Sequence, residues 1–405
     1  MFPSIDRRRL LSVGALTATV PGFLSETGRL IAGDDRTPSL AANKDRVLVV
    51  IQLAGGNDGL NTLVPFRDDV YYKTRPKIAI ARDKALKVTD EFALHPEMKE
   101  LRALHDDGRL GVVSNVGYPN PNRSHFRATE IWETATPEKD VLTGWVGQYF
   151  DAECRGIASP MLGLQLGEKP ALTFAHAKSR AVTLTNPRLF QWDTGTTGHA
   201  MDRLNRVRPT GNDQLDFLQR TANDTLMLSK KIQDALKDTR AATEYAPFNF
   251  SQSLKVVAQM IAADVPTRVY YVSLGGFDTH VTQVGRHAGL LQELSQGLGS
   301  FVKDLKALGH LDRTLVMTFS EFGRRVAENE QQGTDHGTAG VMFLAGGNVK
   351  AGIHGARPNL TDLDEGDLKF GTDFRRVYAT VLANWFKADP KSILGGEFQP
   401  LPCLA

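Results

Sequence analysis

Several clusters of polar side chains in this chain have the types and spacing to bind a cation or attack an ester. Asp278 and His280 stand two residues apart after Leu274-Gly275-Gly276-Phe277. In extended backbone, residues i and i+2 point to the same side, so one carboxylate and one imidazole could face the same cation. Gly275 and Gly276 would let the chain bend there. The same pair could also be a plain turn with a capping aspartate and a surface histidine. Glu321 follows the apolar run Leu315–Phe319, and His336 sits in Thr334-Asp335-His336-Gly337-Thr338. Asp58 lies in Ala54-Gly55-Gly56-Asn57-Asp58-Gly59, either as a ligand or as a turn-former. Carboxylates suit hard ions such as Mg²⁺, Mn²⁺ and Ca²⁺, and imidazoles suit Zn²⁺.

Ser124, in Asn122-Arg123-Ser124-His125-Phe126, stands where a loop rich in Pro and Asn gives way to a helical pattern. One role for it is the helix N-cap. The other is chemical, because a hydroxyl at a helix N-terminus, beside an arginine and a cation, is placed to attack a phosphate or sulfate ester. Arg123 and Arg324 are the candidates for balancing charge on the transferring group. His287, on the helical segment after Asp278, reads as a surface residue rather than a ligand.

These residues need elements that bring them together. Arg46–Leu53, Leu110–Val116, Val269–Leu274, Leu315–Phe319 and Val341–Ala345 are short apolar runs, rich in β-branched and aromatic residues, and read as buried strands. Apolar spacing predicts helices over residues 95–105, 213–237, 251–263 and 374–386. The alternation predicts an α/β fold, a mostly parallel central sheet with helices on both faces. Ligand sites in such sheets form beyond the carboxyl ends of the strands, where Asp58, Asp278, His280 and Glu321 fall. Residues 145–265 carry no catalytic spacing and read as an insert that covers or shapes the site.

The chain of 405 residues is long enough for a large core, and its 41% hydrophobic and 23% charged residues are those of an ordinary globular protein. A net charge of +2 and the lack of recognition motifs argue against nucleic acid as a partner. Residues 1–41 read as an address. Arg7-Arg8-Arg9-Leu10-Leu11 precedes a mildly apolar run from Val13 to Leu24, too short to span a bilayer. The paired arginines and following leucines resemble a twin-arginine export signal, with Ser39-Leu40-Ala41 or Ile31-Ala32-Gly33 as the cleavage site. A basic amphipathic surface helix is the alternative. Export by that route carries folded proteins, often with a cofactor already loaded, to the periplasm or beyond. The expected division is then a signal and start of a connector over residues 1–41 and a single domain over 42–405. The two cysteines, Cys154 and Cys403, are too few for a disulfide scaffold or a thiolate metal site.

The order of the export signal, Gly55-Gly56-Asn57-Asp58-Gly59, Arg123-Ser124-His125-Phe126, Gly276-Phe277-Asp278-Thr279-His280, Ser320-Glu321-Phe322-Gly323-Arg324 and Asp335-His336-Gly337-Thr338 resembles the bacterial family called domain of unknown function 1501. That family in turn looks like a branch of the alkaline phosphatase–sulfatase superfamily. The resemblance implies an α/β sandwich with ligands at the strand ends. It implies that Asp58, Asp278, His280, Glu321 and His336 hold one or two divalent metal ions (Zn, Mn, Mg or Ca), and that Ser124 is the nucleophile. The superfamily spaces its middle pair Asp-x-x-x-His, whereas this chain has Asp-x-His. The superfamily has Asp-His where this chain has Glu321-Phe322. One imidazole is thus missing, which points to a single metal or an oxygen-rich second site. Ser124-His-Phe-Arg also departs from the sulfatase maturation pattern, so a formylglycine enzyme is disfavoured.

Two functions follow as expectations. One is an exported metal-dependent hydrolase of phosphate or sulfate esters, acting on a small-molecule or polysaccharide substrate. The other is a non-catalytic secreted binding protein on the same scaffold, with at most a structural cation.

Overall fold

Val47, Val49, Ile51 and Leu53 point to one side of a strand and Leu48 and Val50 to the other, and every one of them is buried. A strand apolar on both faces must lie between two layers. The computed structural model places it at the centre of the sheet. It describes residues 46–138, 140–154, 161–176, 181–186, 211–212 and 228–405. The expected export signal, the start of the helix expected over 213–237, and parts of the expected insert fall outside the described residues.

The strands of the main sheet, in chain order, are β1 (Val47–Ala54), β2 (Leu110–Gly117), β3 (Gly163–Leu166), β4 (Ala181–Leu184), β5 (Val269–Gly275), β6 (Thr314–Phe319), β7 (Gly340–Gly346), β8 (Gly352–Gly355) and β9 (Thr372–Asp373). They form a nine-stranded sheet in the order β8-β2-β7-β6-β1-β5-β3-β4, with β9 beside β2. β1 pairs in parallel with β5 and β6, and the outer pairs β5–β3, β3–β4, β2–β8 and β2–β9 are also parallel. Only β7 runs the other way, antiparallel to both β2 and β6. This is the expected mostly parallel sheet with one reversed strand.

Helices cover both faces. On one side α2 (Lys99–Asp106), α5 (Asn249–Ala262) and α6 (Gln283–Ala307) pack Leu101, Leu254, Val257, Leu291, Leu294 and Leu298 against Val49, Ile51 and Tyr270. On the other, α3 (His125–Thr134), α4 (Trp145–Glu153) and α7 (Phe374–Thr380) bring Trp132, Trp145 and Tyr378 onto Leu48, Val50 and Tyr271. α7 passes directly into a π-helical stretch, Val381–Phe386, so the closing helix expected over 374–386 forms in two geometries. Both cysteines are buried. Among the described residues, no helix is long and apolar enough to cross a membrane.

The reversal of β7 decides where the chemistry sits. The register pairs Ala54 with Gly275, Gln52 with Phe319, and Val116 with Gly340. The carboxyl ends of β1, β2, β5 and β6 and the amino end of β7 therefore share one edge. The loops after the first four strands and the loop before β7 all open there.

Candidate functional site

At that edge the loop after β5 presents Asp278 and His280, the first residue of α3 is His125, and the loop before β7 presents His336. His280 Nε2 lies 3.0 Å from Asp278 Oδ1, and His336 Nε2 lies 3.2 Å from the same oxygen. The two Nε2 atoms are 3.0 Å apart. His125 Nε2 is 3.5 Å from Asp278 Oδ2. Donor atoms of His125, Asp278 and His336 all lie within 4.8 Å of one another, a group that could hold a metal ion.

The other ring nitrogens fix the tautomers. His125 Nδ1 faces Glu321 Oε1 at 2.8 Å, His280 Nδ1 faces Asp335 Oδ1 at 3.3 Å, and His336 Nδ1 faces the Arg123 carbonyl at 2.9 Å. A carboxylate or carbonyl oxygen only accepts, so each Nδ1 carries the proton. With the proton at Nδ1, each ring turns its Nε2 toward the others and toward Asp278, and Arg324 Nη1 approaches that of His280 at 3.4 Å. Lone pairs packed this closely repel unless a cation or a shared proton stands among them. Metal-bound histidines are oriented in this manner, with the remote N–H held by a carboxylate or carbonyl. A tetrahedron drawn with zinc–ligand bonds has edges of about 3.3–3.5 Å, close to the separations here. His125 Nε2 and Glu321 Oε2 are also buried with no hydrogen-bond partner. The donor set fits a divalent cation.

Charge in the cluster follows its neighbours. Burial opposes ionisation of Asp278, but the hydrogen bond and charge of the Arg324 guanidinium outweigh it and hold its carboxyl at about 2. The hydrogen bond to Glu321 raises the affinity of His125 for a proton, whereas burial lowers that of His336. Phe322 packs its ring against His125 and His336 with centroids 4.8 and 4.6 Å away.

Arg324 braces the whole edge. Its side chain is fully buried, and Nη2 donates to Asp278 Oδ1 at 2.7 Å. Nε donates to the Gly56 carbonyl, Nη1 to that of Thr334, and Nη2 also to those of Gly55 and Phe277. Gly55 and Gly56, at φ +118° and +75°, make the turn that brings these carbonyls close. A Cβ at Gly55 would collide with the backbone nitrogen of Asp278, and one at Gly56 with the Phe322 ring.

The expected site residues thus separate. Asp278, His280 and His336 converge. Glu321 joins through His125 and through the Gly55 N–H, which donates to Oε1 at 2.7 Å. Asp58 is held in another network. Its Oδ2 accepts from Arg75 and Gln283, each at 2.6 Å, and its Oδ1 caps the short helix α1 (Gly59–Thr62) through the N–H groups of Leu60 and Asn61. With both oxygens committed and no exposed surface, Asp58 serves as a buried counter-ion in this structure. The Arg123 guanidinium is paired with Asp367, so its contribution to the cluster is its carbonyl. Ser124 occupies the N-cap position of α3 in extended backbone, and its side chain makes no capping hydrogen bond. The exposed hydroxyl stands one residue before His125.

Two residues depart from their reading in the sequence. His125 was passed over beside Ser124, although a first-turn histidine next to a nucleophile candidate was the available signal. His287 was expected at the surface and is instead buried, with Nε2 donating to Asn57 Oδ1 at 2.9 Å. The helix that carries it runs beneath the Gly55–Asp58 loop, and that loop supplies the acceptor.

The family model that the chain matches, over residues 45–395, is described as protein of unknown function (DUF1501). The comparison with curated proteins found no match. Among solved structures, the PsFucS1 sulfatase from Pseudoalteromonas sp. is similar at 12% identity and a TM-score of 0.39, over 90% of this chain and 73% of that one. The lipoteichoic acid synthase LtaP from Listeria monocytogenes is similar at 10% identity and a TM-score of 0.39, over 87% and 76%. An alkaline phosphatase from the Antarctic bacterium TAB5 is similar at 11% identity and a TM-score of 0.32, over 76% and 95%.

Proposed function

The chain belongs to the DUF1501 family, and we propose that it is an exported, metal-dependent hydrolase of phosphate or sulfate esters. The observation that carries this reading is the convergence of three Nε2 lone pairs on Asp278, each ring held by an acceptor at Nδ1. His125, Asp278, His280 and His336 would hold the cation. A bound divalent ion would polarise the ester and stabilise charge on the transferring group.

The remaining steps fall to the protein's own groups. Ser124 Oγ would attack phosphorus or sulfur, forming a covalent ester as the bond to the leaving group breaks and the proton passes to the departing alcohol oxygen; water would then cleave that ester and restore the Ser124 hydroxyl. The first N–H groups of α3 have no intrahelical acceptor and lie beside that hydroxyl, where they would bind the anionic oxygens of the group in transfer. Glu321 orients His125 through Nδ1. Arg324 keeps Asp278 ionised and its loop in register.

A second reading has its own support. The buried Arg324 guanidinium already supplies a positive charge to Asp278 Oδ1. On that basis the scaffold would be a secreted binding protein that needs no metal. Metal analysis of protein folded in its native host, with aryl phosphate and aryl sulfate assays, separates the two. Bound divalent metal and turnover, both lost in His125→Ala, are expected for the hydrolase. Wild type without turnover, holding at most a structural cation, would overturn the hydrolase and favour the binding protein.

A further inference from the structure

Gln283 opens α6 and is wholly buried beneath the metal cluster. Its Oε1 accepts from Thr334 Oγ1 at 2.6 Å and from Thr279 Oγ1 at 3.1 Å, and its Nε2 donates to Asp58 Oδ2 at 2.6 Å. The amide can face only this way. Reversed, it would set its oxygen against the Asp58 carboxylate and its N–H groups against two hydroxyls. Thr279 lies between Asp278 and His280, and Thr334 lies two residues before His336. One amide oxygen therefore ties together the two loops that carry three of the four ligands.

The tie has a fixed anchor. Asp58 is paired with Arg75 at 2.6 Å, and Arg75 donates onward to the carbonyls of Val326 and Arg325, each at 2.8 Å. The loops also touch directly, Thr334 N donating to the Thr279 carbonyl at 3.2 Å. Asn329 Nδ2 also donates to the His280 carbonyl at 2.9 Å, and Arg324 donates to the carbonyls of Phe277 and Thr334. The Gln283 tie differs in joining the side chains of Thr279 and Thr334, which stand beside the ligands, and so bears on the angle between the His280 and His336 rings.

We propose that Gln283 is a positioning residue for the metal centre, acting through Thr279 and Thr334 to hold the Asp278–His280 loop against the Asp335–His336 loop. The proposal rests on the metal-dependent reading above. It also gives Asp58 a role, as the anchor of the positioning amide.

The test is a Co²⁺ titration of the full chain after removal of metal by a chelator. Four-coordinate Co²⁺ absorbs intensely in the visible, and higher coordination weakly, so the band reports ligand geometry. Wild type is compared with Gln283→Met and with the double variant Thr279→Val/Thr334→Val, which removes only the two hydroxyl donors. Both variants are expected to bind Co²⁺ about 10–100-fold more weakly, with a shifted or weakened band. A general loss of stability would lower the melting temperature without changing the band of the folded fraction. If Gln283→Met fails to fold, the double variant decides. Wild-type affinity and an unchanged band in the double variant overturn the proposal. A wild type that binds no Co²⁺ overturns the metal centre itself, and the proposal with it.

Discussion

Arg324 donates from Nη2 to Asp278 Oδ1 at 2.7 Å, and the same guanidinium binds backbone carbonyls in the loops after β1 and β5 and in the loop before β7. One buried side chain thus holds the carboxylate at the centre of the cluster and the loops around it. Removing the guanidinium would leave a charge and several carbonyls unpaired. Arg324→Met is expected to cost about 1–3 kcal/mol, because buried carbonyls lose their donor while the half-exposed Asp278 carboxylate can still be hydrated. Arg324→Lys has too few N–H groups for all of these acceptors and should fall between. Urea unfolding of the three proteins checks the order, and a neutral Arg324→Met would show that other groups carry the loops.

Ser124 makes no capping bond, so Ser124→Ala should change stability by no more than about 0.5 kcal/mol, as surface substitutions do. Turnover of aryl phosphate or aryl sulfate should nevertheless be lost, with metal content unchanged. Melting temperature and hydrolysis measured together read both effects. Retained turnover would remove Ser124 as nucleophile.

Acid should destabilise the fold early. Burial, above all, lowers His287 to about 3 and His95 to about 4, against 6.5 for a free imidazole. Both residues stay neutral in the folded chain, whereas the unfolded chain takes up protons below about 6.5. Stability therefore falls as pH drops from about 6.5 toward about 3–4, by up to about 1.4 kcal/mol per pH unit for each histidine. Above about 6.5 both states are neutral and this dependence vanishes. Urea midpoints between pH 7.5 and 5 measure the slope. His287→Gln keeps an amide donor near Asn57 and should flatten it, and an equal slope in that variant would refute the assignment.

Export by the twin-arginine route reads a guanidinium pair. Arg7→Lys/Arg8→Lys should leave the precursor in the cytoplasm when host fractions are blotted. Normal appearance of the double variant in the periplasm would exclude that route.

The five central strands, β2, β7, β6, β1 and β5, were legible because each is an apolar run bounded by glycine or polar residues, whereas the short outer strands β3, β4, β8 and β9 carry no such run. Asp278, His280 and His336 were legible for the same reason, since each stands just outside such a run. Asp58 stands there too, but its surroundings are set by Arg75 and by Gln283, far along the chain, and nothing local announces either partner. His125 was obscured by its neighbour. In Arg123-Ser124-His125 the hydroxyl and guanidinium suggested chemistry of their own, while the structure turns the imidazole inward and leaves the hydroxyl exposed. The tautomer-fixing acceptors, a backbone carbonyl and two carboxylates, depend on loop geometry that no spacing rule encodes.

The reversed direction of β7 also bears on how the protein would survive cutting. The chain leaves the sheet at Phe319 and re-enters it beside the same edge at Gly340, and Glu330, Gln331 and Gln332 at the far tip are exposed. The two arms are zipped, Gly323 N donating to the Thr338 carbonyl at 2.8 Å and Gly337 N to that of Gly323 at 2.9 Å. A protease that nicked the tip would leave Glu321 and Arg324 on one fragment and Asp335 and His336 on the other. Each fragment would keep its own strand in the sheet. The centre could then be assembled from two polypeptides, which makes this tip the place to divide the protein into complementing halves.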